Sequence, residues 1–299
     1  MPGSLPSKHH SNGLAPEAAV PKNAASLERW PLADHAGDWL AAGLALIAVI
    51  LVVAARLSPA RAEALADAAE RYRPLMTEQI DQSLAGARLL RERIAAGDLE
   101  GAKTAWIEAR VGWERAEVFT SGFVPDLDRE IDAWPNALLG FHAIEAKLFG
   151  AKRTDAEQET DALILHLEDL DVKVEHLQLL PQRLLNGIAR LAYEIGESKA
   201  DGGESSFSGT SLNDMRNNVD GIELAYRTIF VGAVDASDPK LATAIREKIE
   251  RLKALVDVSD LKGLEPEKLR AASEELIVVL QTVAPKIRLR SPSLEEIVQ

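Results

Sequence analysis

Apolar residues at helical spacing, interrupted by proline and glycine, constrain the fold of this chain more than any other feature. Beyond residue 60 apolar positions recur every three or four residues, and no segment has the character of a strand. We therefore predict an all-α fold of seven or eight helices, packed as two adjoining antiparallel bundles of the four-helix type. The predicted helices run from Ser58-Pro59 to about Ala96 (kinked at Pro74), Asp98 to about Phe119, about Pro135 to Phe149, Thr154 to about Leu180, Pro181 to about Glu197, Ser211 to about Val234, Asp238-Pro239 to Val256, and Pro266 to about Leu289, with an irregular connection at 120–134.

The domain organisation follows from two changes in composition. Residues 1–37 are rich in Pro, Gly, Ser, Asn and Ala and are predicted to form a disordered tail. Trp39 to Ala55 is a run of 17 uncharged residues, which spans roughly 25 Å as a helix, so residues 38–57 are predicted to be a transmembrane anchor. A cleaved signal peptide and a buried core helix are the alternatives for this run. The sequence GGESSFSG at 202–209 predicts the boundary between a first bundle, 58–200, and a second, 201–299.

The balance of charges excludes several classes of function. The chain has 34 basic and 47 acidic residues, a formal net charge of −13, which argues against binding to nucleic acid and leaves cations and small ligands as partners. Cysteine is absent, which excludes disulfides, thiolate metal sites, thiol nucleophiles and a lipid-modified cysteine. The arrangement H-E-x-x-H of zinc peptidases, a glycine-rich phosphate loop and G-x-S-x-G are also missing.

The segment 106–150 contains the candidate metal-binding residues. Glu114 and Glu117 lie three apart on one predicted helix, and His142 and Glu145 lie three apart on the next. Neighbouring antiparallel helices could bring both pairs to one cation, and this set of ligands suits iron, zinc, manganese or copper. The alternatives are a solvated pair of glutamates and a simple histidine–glutamate hydrogen bond. The connection between the two helices adds four acidic residues, Asp126, Asp128, Glu130 and Asp132.

Two stretches of the sequence resemble the M75 (imelysin/EfeO-like) family. The family hallmark G-x-H-x-x-E is matched by Gly140, His142 and Glu145, and the run 194–226 is similar to the EfeO/EfeM iron-uptake branch. The resemblance covers roughly residues 61–290. It implies paired four-helix bundles outside the cytoplasm, although the basic residues beside the apolar run alone would favour the cytoplasm. Residues 1–60 are too short for the cupredoxin-like domain of longer members.

The resemblance also implies a function in metal uptake. It places the metal ligands at Glu114, Glu117, Asp128, His142 and Glu145, with Asp132 as a weaker candidate. It further implies an iron permease and a haem peroxidase as partners. The resulting prediction is a membrane-anchored, periplasmic or extracytoplasmic protein that binds iron (Fe²⁺ or Fe³⁺), or zinc or copper instead, and delivers it to a permease without catalysis. The alternatives are an imelysin-type metallopeptidase and a non-catalytic bundle without metal.

Overall fold

The structure is a computed structural model of the 299-residue chain, and it describes the backbone of residues 36–132 and 139–298. Side chains are described for residues 44–47, 62–132, 139–293 and 295–297. Most of the predicted tail, 1–37, therefore lies outside the described residues. Contacts divide the chain into two compact units, Met1–Val53 and Ala54–Gln299, and the account below concerns the second.

All regular structure in the described residues is helical, which confirms the all-α prediction. A π-helical turn at Ala146–Gly150 follows α4, and another at Tyr226–Phe230 joins α7 to α8. Short 3₁₀ turns occupy Leu261–Gly263 and Ala284–Ile287. The helices are α1 (Ala36–Ala95), α2 (Leu99–Phe123), α3 (Pro125–Ile131), α4 (Gly140–Glu145), α5 (Glu157–His176), α6 (Pro181–Glu197), α7 (Ser211–Ala225), α8 (Val231–Ser237), α9 (Pro239–Val256), α10 (Pro266–Val283) and α11 (Leu294–Val298).

Several predicted helix ends are corrected by the structure. Asp98 caps α2 as predicted, since its carboxylate accepts a 2.9 Å hydrogen bond from the Gly101 amide. The predicted start at Ser58-Pro59 is wrong, because α1 runs through it from Ala36. One proline removes a single backbone donor and introduces a single steric clash, which a long helix can absorb. The irregular connection predicted at 120–134 is wrong as well: α2 continues to Phe123, and α3 follows with Pro125 at its first position, where the missing amide proton costs nothing.

The predicted capping box at Thr154 and Glu157 does not form. Helix α5 begins at Glu157 with Ala156 as its cap residue, and no side chain caps it. The chain turns just before this helix, with a positive φ of 58° at Lys152, so the helix begins later than the sequence pattern indicates.

The predicted transmembrane anchor, 38–57, falls mainly on side chains outside the described set. Across the described part of the chain, no helix has a stretch long and apolar enough to span a membrane.

Helix α2 occupies the centre of the unit Ala54–Gln299, between α6 and α7. Side chains from both neighbours reach its backbone: Arg190 of α6 donates to the Glu117 carbonyl at 2.9 Å, and Asn218 of α7 donates to the Glu114 carbonyl at 2.9 Å. Helices α6, α7, α9 and α10 pack on one another, so α6 contacts α2 on one side and the later helices on the other. The division into bundles at 200/201 stays a prediction. Charged side chains of α2 are thereby enclosed by residues from both halves of the sequence.

Candidate metal centre

A group of buried charged side chains lies where α2, α4, α7 and the chain between α6 and α7 meet. Each of these side chains is exposed by a tenth or less. Burial of so many charges is tolerated only where they pair with one another or with a ligand. We call the following set the charged cluster: Arg110, Glu114 and Glu117 of α2, Asp132, His142 and Glu145 around α4, Lys199 and Glu204 after α6, and Asp214 and Asn218 of α7.

Asp132, His142 and Glu204 form the part of the cluster that could hold a metal ion. One possible ligand atom from each of the three lies within 4.8 Å of the other two. The His142 Nε2 atom lies 3.1 Å from Asp132 Oδ1, which is an ion pair when the imidazole is protonated, although the two atoms are poorly aligned for a hydrogen bond. The Oε2 atom of Glu204 is likewise buried without a hydrogen-bond partner among the described residues. Within the described residues, Glu204 Oε2 is thus a buried oxygen without a partner, and His142 Nε2 is shared with Asp132 alone.

Glu145 fixes the orientation of the His142 ring. Its Oε2 lies 3.1 Å from His142 Nδ1, and its Oε1 accepts hydrogen bonds from the Phe207 amide (3.1 Å), the Ser208 amide (2.8 Å) and the Ser208 hydroxyl (2.8 Å). A carboxylate on one ring nitrogen directs the other nitrogen towards a metal, which is the usual arrangement around metal-bound histidines. Glu145 therefore has the position of a group that supports the ligand His142.

The backbone geometry explains why the first residue of G-x-H-x-x-E is a glycine. Gly140 has a φ of +77°, and a β-carbon at this position would lie 2.4 Å from the Ile131 carbonyl oxygen. Only glycine combines this backbone conformation with so close an approach. Gly140 thus allows α4 to start directly against the end of α3, which brings His142 next to Asp132.

Asp132 is held in place by two donors from α2. Its Oδ1 accepts a 2.8 Å hydrogen bond from Arg110 Nη1, and its Oδ2 accepts a 2.7 Å hydrogen bond from Trp113 Nε1. Burial raises the pKa of Asp132, but the charges of Arg110 and His142 outweigh burial and hold that pKa well below its usual value. Asp132 is therefore ionised at neutral pH.

Glu114 and Glu117, which were predicted to bind a metal ion, instead contact the ammonium group of Lys199. Lys199 Nζ lies 2.9 Å from Glu114 Oε2, 2.9 Å from Glu117 Oε2 and 3.1 Å from Glu204 Oε1. The Asn218 amide donates to the same two oxygens of Glu114 and Glu117, at 2.8 and 2.7 Å. Arg110 pairs with Glu114 and connects this pair of glutamates to Asp132.

Negative charge exceeds positive charge in the cluster. Six carboxylates face two permanently cationic side chains, Arg110 and Lys199. Burial raises the pKa of Glu204 to about 8 and that of Asp214 to about 6, and the nearby carboxylate of Glu114 contributes to both shifts. Burial lowers the pKa of His142, but Asp132 and Glu145 reverse this and bring it to about 9. Protons thus neutralise charge that a metal ion could neutralise instead.

The structure gathers some of the predicted ligands and leaves one apart. Glu114, Glu117, His142 and Glu145 all belong to the charged cluster, where Arg110 and Asp132 connect the two pairs. Asp128 instead accepts a hydrogen bond from the Thr120 hydroxyl, and burial, partly offset by Arg190, raises its pKa to about 6. The role of all five predicted residues as metal ligands stays a prediction.

Five members of the cluster were not predicted from the sequence: Arg110, Lys199, Glu204, Asp214 and Asn218. An acidic residue within the run GGESSFSG was a usable signal for Glu204. Lys199, on the other hand, has nothing in its local sequence that distinguishes it from a lysine on the surface.

Comparisons with known proteins identify relatives of this chain. The chain is 30% identical over 235 residues to the iron uptake system component EfeM of Bacillus subtilis (strain 168), covering 74% of this chain and 60% of that protein. It is 28% identical over 204 residues to an Efem/EfeO family lipoprotein of Staphylococcus haemolyticus (strain JCSC1435), covering 64% of this chain and 70% of the relative.

A solved structure shows the same fold. It is that of an iron-regulated protein A precursor from Parabacteroides distasonis, and it superposes with a TM-score of 0.60 at 18% identity, over 76% of this chain and 95% of the other. The family model of imelysin, peptidase M75, matches residues 68–137 and 136–286. The resemblance seen in G-x-H-x-x-E is thereby confirmed, and this chain belongs to the imelysin family.

Proposed function

We propose that this chain is an extracytoplasmic iron-binding component of an uptake system. The observation that carries the proposal is the buried group Asp132, His142 and Glu204, in which one possible ligand atom of each residue lies within 4.8 Å of the others and Glu204 Oε2 has no hydrogen-bond partner among the described residues. The relatives named for iron uptake and as lipoproteins support iron as the metal and a location at the membrane surface. Carboxylate oxygens with one imidazole nitrogen are suitable ligands for ferrous or ferric iron.

Capture of iron would exchange protons for the metal ion. His142 and Glu204 have raised pKa values, so an arriving ion must displace protons from them. The acidic surface of a chain with a net charge of −13 attracts the cation before it reaches the site. Acidification would reverse the exchange and release the ion.

We propose binding rather than catalysis as the role of the site. His142 and Glu204 are only 7% and 9% exposed, so in the part of the chain that the structure describes they offer a polypeptide substrate little surface to contact. Glu145 already accepts three hydrogen bonds on one oxygen and contacts His142 with the other, which makes it unsuited to act as a general base on a water molecule. The metallopeptidase alternative has no comparable observation in its favour.

The place of the protein in the uptake system is part of the same proposal. We propose that the bound iron passes to a membrane permease that works with a haem peroxidase. Membrane association would use residues 38–57, whose described side chains Leu44, Leu46 and Ile47 are each more than half exposed. An apolar surface of this kind is stable only against another apolar surface, such as lipid.

Replacing His142 by Ala tests the proposal. Anaerobic titration of the full chain with Fe²⁺, followed by calorimetry, should show at least a tenfold loss of affinity, because the imidazole ligand is removed, with about 1.4 kcal/mol for each factor of ten. His166→Ala is the matched control, since His166 lies on α5 outside the cluster. Circular dichroism checks that the helices are intact. Unchanged affinity of His142→Ala would exclude this site as the iron site.

A further inference from the structure

Lys199 is bound within the cluster as a metal ion would be. Its ammonium group has a carboxylate oxygen of Glu114, of Glu117 and of Glu204 within 3.1 Å, and the residue is only 2% exposed. An ammonium group carries three donors and no acceptor, so three oxygens satisfy it completely. Burial of such a charge is costly unless the surroundings neutralise it, as these carboxylates do.

Glu204 connects the ammonium group to the proposed iron site. Its Oε1 atom contacts Lys199, while it belongs with Asp132 and His142 to the group of possible metal ligands, and its Oε2 atom has no partner among the described residues. One carboxylate thus faces two neighbouring cation positions. One position is filled by the Lys199 ammonium group, and the other is bordered by the unpartnered Glu204 Oε2 atom.

Asn218, which donates to the carboxylates around Lys199, also has an unpartnered atom. Asn218 donates through Nδ2 to Glu114 and Glu117, and its buried Oδ1 atom makes no hydrogen bond with a described group. The opposite orientation of this amide would place an oxygen against two carboxylates, so the hydrogen bonds determine the orientation. Carboxylate and amide oxygens are the ligands that hard divalent cations prefer.

We propose that Lys199 occupies a second cation site, formed by Glu114, Glu117 and Glu204, and thereby limits the chain to one iron ion where its carboxylates could hold two. This inference rests on the proposed function for the first ion, and it adds a residue that determines metal stoichiometry. The ammonium group cannot dissociate from the chain, so its local concentration is always high. A metal ion reaches the three carboxylates only when Lys199 is removed or displaced.

The test replaces Lys199 by Ala in the full chain and counts bound Fe²⁺ anaerobically, by calorimetry and by metal analysis after gel filtration. Lys199→Ala should bind two ions per chain and the wild type one, because the truncated side chain leaves three oxygens and space for an ion. Lys199→Arg, which keeps a cation in the site, should bind one ion. Lys262→Ala removes an exposed lysine and controls for the loss of charge.

The outcomes separate this inference from the proposed function. One ion in both the wild type and Lys199→Ala would overturn the inference and leave the function intact. No ion in the wild type but one in Lys199→Ala would support the second site and refute the proposed function. If Lys199→Ala is unfolded without metal, its helicity by circular dichroism is measured with Fe²⁺ added. Recovery of helicity supports the second site, and no recovery overturns it.

Discussion

Glu145→Gln is the substitution that most directly tests how the site prepares His142 for a metal. The amide keeps an oxygen for the Phe207 amide and the two Ser208 donors, which lie 2.8 to 3.1 Å from Glu145 Oε1. Its NH₂ group then replaces Oε2, which in the wild type lies 3.1 Å from His142 Nδ1, and faces that ring nitrogen. Since an NH₂ group can only donate, Nδ1 must lose its proton and the remaining proton moves to Nε2. A protonated Nε2 cannot bind a metal ion.

The expected magnitude follows from the contacts that are lost. Removing the group that orients a metal-bound histidine costs about 10- to 100-fold in metal affinity, or roughly 1.4 to 2.8 kcal/mol. Burial lowers the pKa of His142, but Asp132 together with the hydrogen bond to Glu145 overcomes burial and raises this pKa to about 9, so it should fall in the variant. The loop that contains Ser208 should stay in place, because its donors keep an acceptor.

Calorimetric titration with Fe²⁺ measures the affinity, and ¹⁵N nuclear magnetic resonance of the imidazole ring identifies its tautomer. Glu157→Gln is the control, since Glu157 is an exposed glutamate in the first turn of α5. Affinity equal to that of the wild type would refute the orienting role of Glu145. Weaker binding with an unchanged tautomer would also refute it and make Glu145 a direct ligand.

Two further predictions follow from the same geometry. The metal-free protein should lose stability as pH rises from about 6.5 to 9, because the pKa of His142 is raised from 6.5 to about 9 and that of Glu204 from 4.5 to about 8. The loss is about 1.4 kcal/mol per pH unit for each extra proton that the folded state binds. A thermal unfolding temperature that rises over this pH range would contradict the prediction. Gly140→Ala should cost about 1 to 3 kcal/mol and weaken Fe²⁺ binding, since φ is +77° and Ile131 O lies 2.4 Å from the added carbon. Gly232→Ala, on α8 with open space around it, should leave binding unchanged and should not lower stability in denaturant unfolding, because alanine favours a helix.

The helical fold could be predicted because its signals are local. The cap at Asp98 and the prolines at the starts of α6, α9 and α10 act within one helical turn. The pairs Glu114/Glu117 and His142/Glu145 could be found for the same reason, since spacing along a helix determines which side chains share a face.

The partners of these pairs could not be predicted in the same way. Arg110 and Glu114 are four residues apart, a spacing that is common for ion pairs on exposed helix surfaces, and only the tertiary structure shows both to be fully buried. Lys199 is 82 residues from Glu117 in sequence, yet its ammonium group lies 2.9 Å from that carboxylate. Contacts over such distances depend on how the helices pack, and composition does not encode them.

The run GGESSFSG shows why a change in composition can indicate either a boundary between domains or part of a site. Gly202 and Gly209 have φ values of +78° and +72°, which let the chain between them fold back over the cluster. Small serine residues bring the backbone close enough for Ser208 to donate to Glu145 and for Ser205 to donate to Asp214 at 2.6 Å. A linker needs the same residue types, because both uses require a flexible backbone without bulky side chains. Since this loop also supplies Glu204, the residues on either side of it form the charged cluster together, and neither half of the sequence contains the site alone.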